Sequence, residues 1–97
     1  MSPNNKKKLN QIRKNLDKLD NKLINLIKIR KNLVDEVIKQ KRFKKEIIDK
    51  KRIKIILKRI KKKSINKRID PKITERIWKN MILAYIDYER RNFKKKK

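Results

Sequence analysis

Residues 9–37, LNQIRKNLDKLDNKLINLIKIRKNLVDEV, decide how this chain folds. Leu9, Ile12, Leu16, Leu19, Leu23 and Leu26, then Leu33 and Val37, recur at alternating steps of three and four. That is the period of one face of an α-helix, sustained over about four heptads. The chain has no glycine, and no proline lies between Pro3 and Pro71 to interrupt the pattern. The spacing predicts a helix from about residue 7 to about 43, roughly 55 Å long at ~1.5 Å per residue. A compact globule of this chain length is only about 30–35 Å across. Such a helix cannot bury its apolar stripe against its own chain alone, so a dimer or a longer bundle is implied.

Downstream, Ile53, Ile56, Leu57 and Ile60 form a second, shorter stripe, with Asp49 as its expected N-cap. Lys61 to Ile69, which includes Ser64 and Asn66, reads as a connection. Asp70-Pro71 is a helix start: a capping carboxylate followed by proline at the first helical position. Ile73, Ile77, Met81, Ala84 or Tyr85, and Tyr88 carry a third stripe ending near Arg91. Trp78 and Tyr88 are expected in the core of this helix, and Phe43 is expected to plug the end of the first. No strand pattern and no internal repeat is visible. The predicted fold is all-α, with three helices: long, short and medium. Residues 1–8 read as a flexible basic N-terminal arm, 9–91 as the helical domain and 92–97 as a basic C-terminal tail.

Composition removes whole classes of chemistry. The 97 residues contain no Cys, no His and no Gly. Disulfides, cysteine zinc sites and thiol nucleophiles are excluded, as are imidazole bases, phosphate-binding glycine loops and dinucleotide fingerprints. The longest apolar run, Met81 to Ile86, is too short to span a membrane. No apolar leader follows the N-terminus, so the expected location is cytoplasmic. The formal charge is +25, from 35 Lys+Arg against 10 Asp+Glu. A charge of that size suggests nucleic acid or an anionic surface as partner. Lys, Ile and Asn, however, are the residues of A/T-rich codons. They number 26, 17 and 10 here, together more than half the chain. Compositional drift therefore accounts for most of the charge, and nucleic acid is not the expected partner. Arginine positions carry more information than lysine positions.

One arginine violates the stripe. After Leu26 the next seam position is Arg30. A charge on a buried seam is costly unless an opposite charge meets it, which makes Arg30 a candidate anion ligand. The alternative is an arginine snorkelling from the helix edge. Lys41, eleven residues on, would point within about 20° of Arg30 and lie about 16 Å along the same helix. Arg13, seventeen residues earlier, is roughly 25 Å away and turned by about 100°. It can serve the same site only from a second subunit.

The pattern Leu9-x-x-Ile12-Arg13-x-x-Leu16-x-x-Leu19-Asp20-x-x-Leu23-x-x-Leu26-x-x-x-Arg30 resembles the first helix of the all-helical chorismate mutases. Lys41 and Asp49-Lys50-Lys51-Arg52 continue the resemblance into the second helix, and Asp70-Pro71 with Ile77 to Ile82 into the third. It covers roughly residues 9–91. The resemblance implies an intertwined helical homodimer that converts chorismate to prephenate by a Claisen rearrangement, with no cofactor and no metal. The substrate is a dicarboxylate. By position, Arg30 would hold one carboxylate and Arg13, contributed across the dimer interface, would hold a carboxylate too. Lys41 would face the ether oxygen and a carboxylate. Asp49 and Arg52 would line the site, and Glu89 would hydrogen-bond the ether oxygen. Lys41, Glu89 and Arg30 are thus the expected catalytic groups. An ionised Glu89 repels the charge that develops on that oxygen, and a protonated one donates to it. Activity is therefore expected to rise as pH falls.

Two positions depart from the mutase pattern. Ile53 stands where the family usually has a Glu that binds the substrate hydroxyl, and Tyr85 where it often has Ser. Both resemble the isochorismate-pyruvate lyase branch of the same fold, which forms salicylate. The lyase is the alternative activity at Arg13, Arg30, Lys41, Asp49, Arg52, Ile53, Tyr85 and Glu89. A basic nucleic-acid binder and a coiled coil without a site are the remaining readings. Even distribution of the cations outside the seam counts against the first, and Arg30 in the seam against the second.

Overall fold

The computed structural model describes residues 2–93, the side chain of Lys45 excepted. The tail expected over residues 92–97 lies outside the described residues from Lys94 onward, as does Met1. Three helices follow in chain order: α1 (Pro3–Gln40), α2 (Lys50–Asn66) and α3 (Pro71–Asn92). A single 3₁₀ turn, Lys44–Ile47, separates α1 from α2, and no strand occurs among the described residues.

α1 starts earlier and stops earlier than its apolar period predicts. Its first turn is Ser2-Pro3: the Ser2 hydroxyl accepts from the Asn5 N–H at 3.2 Å, and the Ser2 carbonyl accepts from Lys6 N–H at 2.9 Å. A capping hydroxyl with proline at the first helical position is a complete start signal, so Pro3 opens the helix. The helix ends at Gln40, where the Lys41 N–H turns back to the Ile38 carbonyl at 3.1 Å in a tighter, 3₁₀-type bond. Phe43 does not plug this end. It is half exposed and extended, and the Glu46 carboxylate accepts from its N–H at 3.2 Å at the head of the 3₁₀ turn.

The chain divides into two units, one up to Leu33 and one from Val34 onward. The first is the upstream run of α1. Its stripe is open on this chain: Ile12, Leu16, Leu19, Leu23, Leu26 and Leu33 are all about half exposed.

The second unit contains the last turns of α1, the 3₁₀ turn, α2 and α3. Asp49 caps α2, its Oδ1 accepting from Arg52 N–H at 3.0 Å. α2 then runs through the expected connection as far as Asn66. Ser64, polar in sequence but buried, explains the extension. Its hydroxyl lies 2.6 Å from the Ile60 carbonyl and 2.6 Å from the Thr74 hydroxyl on α3, so it locks the two helices together instead of facing water. Arg68 closes the helix at φ 58°. Ile69 N–H bonds Ser64 O at 2.9 Å and Arg68 N–H bonds Ile65 O at 3.1 Å, the two bonds of a Schellman closure. That left-handed position favours glycine, which this chain lacks. Asp70 caps α3 through Lys72 N–H at 2.9 Å, with Pro71 at the first helical position. α3 packs on α2 and on the 3₁₀ turn. Among the described residues the buried apolar side chains are Ile38, Ile47 and Ile82. Trp78 and Tyr88 are half-buried at the margin of this small core. No helix among the described residues is long and apolar enough to cross a membrane.

Candidate active site

Two of the expected catalytic groups meet. The ammonium of Lys41 lies 3.8 Å from Glu89 Oε2, with 17% of the lysine side chain and 10% of the glutamate side chain exposed. At that separation they form an ion pair rather than a hydrogen bond. Lys41 also donates to the Ile47 carbonyl at 3.4 Å. The early end of α1 makes this possible. Lys41 is one residue past the last helical residue, so its direction is not set by the helical step that was expected to align it with Arg30. The 3₁₀ turn brings the Ile47 carbonyl to it instead, while Ile47 itself is buried.

Glu89 is held from the other side by the periodicity of α3. Ile82, Tyr85 and Glu89 fall at steps of three and four, on one face of the helix. Ile82 is buried, Tyr85 half-buried and Glu89 only 7% exposed. Burying a carboxylate this far costs free energy unless an opposite charge is near, and Lys41 supplies it. The adjacent Tyr88 hydroxyl donates to Asp35 Oδ1 on α1 at 2.7 Å. Neither Asp35 nor Tyr88 carried a functional expectation from the sequence. They are fifty-three residues apart, and no local pattern pairs them.

The remaining candidates are placed as follows. Asp49 and Arg52 sit in the first turn of α2, both exposed, joined by the capping bond from Arg52 N–H to Asp49 Oδ1. That bond occupies one carboxylate oxygen of Asp49 and leaves the Arg52 guanidinium outside it. Ile53, next along α2, is half-buried. Arg30 is half-buried on α1 and Arg13 is exposed on the same helix. The Lys41 and Glu89 side chains are in direct contact; Arg13 and Arg30 belong to the upstream unit.

The chemistry available at the pair is electrostatic. A lysine ammonium donates and carries positive charge; a carboxyl group accepts when ionised and donates when protonated. Such groups stabilise charge that develops on an oxygen during a reaction without forming a covalent intermediate.

The family model described as chorismate mutase type II matches residues 12–90. No curated protein and no solved structure matches the chain. The matched span takes in Arg13, Arg30, Lys41, Asp49, Arg52, Ile53, Tyr85 and Glu89, together with all of α2. The match is to the mutase, and nothing in it favours the lyase alternative raised by Ile53 and Tyr85. The all-helical architecture and a match over most of the length agree: the chain is an isomerase that belongs to the chorismate mutase type II family.

Proposed function

We propose that this mutase rearranges chorismate to prephenate at two equivalent sites of a homodimer, with residues 9–91 as the catalytic domain between two basic ends. The observation that carries the reading is the meeting of Lys41 and Glu89 at 3.8 Å in a largely buried setting. The reaction breaks the ether C–O bond and forms a C–C bond within one molecule. No atom is gained or lost, so no nucleophile or cofactor is required. The protein's work is to hold the substrate in its compact conformer and to stabilise the ether oxygen as it gains negative charge. Lys41 meets that charge with its ammonium, and Glu89 donates to the same oxygen in its protonated form. Arg30 binds one substrate carboxylate through its planar fork, and Arg13 of the partner subunit binds a carboxylate too. Arg52 and Asp49 line the site from the start of α2, with Ile53 and Tyr85 as apolar walls. The open stripe from Ile12 to Leu33 supports the dimer, because a second copy of α1 is a surface of matching period and length.

The test uses two inactive parents. Arg13→Ala and Arg30→Ala chains are co-refolded in equal amounts and assayed for loss of chorismate. In a two-fold dimer both lesions of a mixed pair fall in one site and leave the other intact. Random mixing therefore restores about a quarter of the wild-type activity, since about half the dimers are mixed. Mixtures as inactive as either parent refute the shared site.

A further inference from the structure

We propose that Tyr88 and Asp35 are positioning residues: their hydrogen bond sets the gap between Lys41 and Glu89 into which the ether oxygen must fit. The inference rests on the site reading above and adds two residues to it.

Lys41 has left α1, and its backbone N–H bonds the Ile38 carbonyl in a tight turn. Where its ammonium stands relative to α3 therefore depends on how the last turns of α1 are fixed to α3. α3 packs on α2 and on the 3₁₀ turn. The Tyr88–Asp35 bond ties α3 to α1 as well, one residue from Glu89 along α3 and six residues from Lys41 along the chain on the α1 side. Asp35 and Ile38 are three apart on one face of α1, and Ile38 is buried, so the bond borders the core and does not fray into solvent. A phenol donating to a carboxylate at 2.7 Å is a short, charge-assisted bond. The phenol sits on a side chain with only two rotatable torsions, which makes the tie stiff. The helix around it is braced too, since the Asn92 amide donates to the Tyr88 carbonyl at 2.8 Å and holds the last turn of α3. Successive residues on a helix diverge by about 100°, so the phenol lies to one side of the Glu89 carboxyl and stays out of the substrate's way.

Misplacement of catalytic groups by about 1 Å can cost up to about a hundredfold in rate. A bond that merely stabilises the fold would lower the melting temperature and leave the turnover of folded protein alone. The two roles separate in steady-state kinetics with kcat and KM resolved, on protein whose melting temperature is recorded alongside. Tyr88→Phe and Asp35→Ala should each lower kcat about tenfold and leave KM within about twofold, because the carboxylate-binding arginines are untouched. The double variant should be no slower than either single one, since both remove the same bond. Asp35→Asn keeps an acceptor oxygen and should recover most of the rate. Unchanged kcat in folded Tyr88→Phe, a change in KM alone, or losses that multiply in the double variant overturn the proposal. Asp35→Ala breaks the bond from the other helix and carries the test if Tyr88→Phe does not fold. Lys41→Ala is assayed in parallel. Wild-type kcat in that variant overturns the site reading itself; a dead Lys41→Ala beside a fully active Tyr88→Phe overturns only the positioning role.

Discussion

Replacing Glu89 by glutamine should move stability and activity in opposite directions. The carboxylate lies 3.8 Å from the Lys41 ammonium. At an effective dielectric of ~20 the attraction between unit charges at that distance is about 4 kcal/mol before desolvation is subtracted. Desolvation of two largely buried groups offsets most of that, and Lys41 retains its bond to the Ile47 carbonyl. The net loss on Glu89→Gln should be about 1–2 kcal/mol, which for a domain of this size lowers Tm by about 5–10 °C. Activity responds differently. Near an oxygen gaining negative charge an ionised carboxylate repels, and a protonated one donates. The amide of glutamine donates at every pH. A donor aimed at such an oxygen contributes about 2.7–4 kcal/mol in well-studied cases. With part of that gain offset by the weakened hold on Lys41, kcat/KM near pH 8 should rise about tenfold, equivalent to about 1.4 kcal/mol. The wild-type rate should climb as pH falls, since a protonated Glu89 donates where an ionised one repels, and the Gln variant should be flat over the same range. The assay is initial-rate loss of chorismate against pH for both proteins, with thermal unfolding of each. A flat wild-type profile, or a Gln variant slower than wild type at the alkaline end, refutes the placement of Glu89 at the breaking bond.

Arg68→Gly should raise stability by about 1 kcal/mol, because glycine takes the left-handed backbone of this closure without the Cβ clash; no rise in Tm would show that the Arg68 side chain offsets the strain. Arg30→Lys and Arg52→Lys should each weaken transition-state binding by about 1–3 kcal/mol, since an ammonium cannot grip a carboxylate with two parallel bonds; wild-type kcat/KM in both removes these residues from the site. Ile53→Glu should raise kcat/KM on chorismate about fivefold, the equivalent of one added hydrogen bond to the substrate hydroxyl, and an unchanged rate means that Ile53 does not face the substrate.

The helix starts that follow from the sequence alone are those whose signal is local. Asp49 and Asp70 announce α2 and α3 within three residues of chain, and each makes the capping bond its position predicts. Ser2-Pro3 carries the same signal, but among polar residues and ahead of the apolar stripe it reads as a frayed end. The other boundaries depend on distant partners. Ser64 looks like loop punctuation until Thr74 is placed against it, ten residues away. The end of α1 has no glycine or proline to mark it; beyond it the Ile47 carbonyl and Glu89 meet the Lys41 side chain. Among the candidate site residues, Arg30 is legible as a charge in an apolar seam. Lys41 and Glu89 were paired only through family resemblance, and Tyr88 with Asp35 not at all. A hydrogen bond across fifty-three residues leaves no trace in periodicity or spacing.

The open stripe of α1 also bears on how the chain's backbone amides exchange with solvent. Between Ile12 and Leu33 the leucines and isoleucines of the seam stay about half exposed on this chain. A helix in water without a packed face is marginal, and its hydrogen bonds open and close readily. Slow exchange along residues 12–33 must therefore come from whatever covers the stripe. If that cover is a second chain, the protection follows mass action. Dilution then erases slow exchange at Leu16 and Leu23 first, while amides around Ser64 and Ile82, shielded by packing of α2 on α3, still exchange slowly. A residue-resolved exchange series over concentration would give the association constant of the dimer directly from the backbone of α1, with no need of substrate.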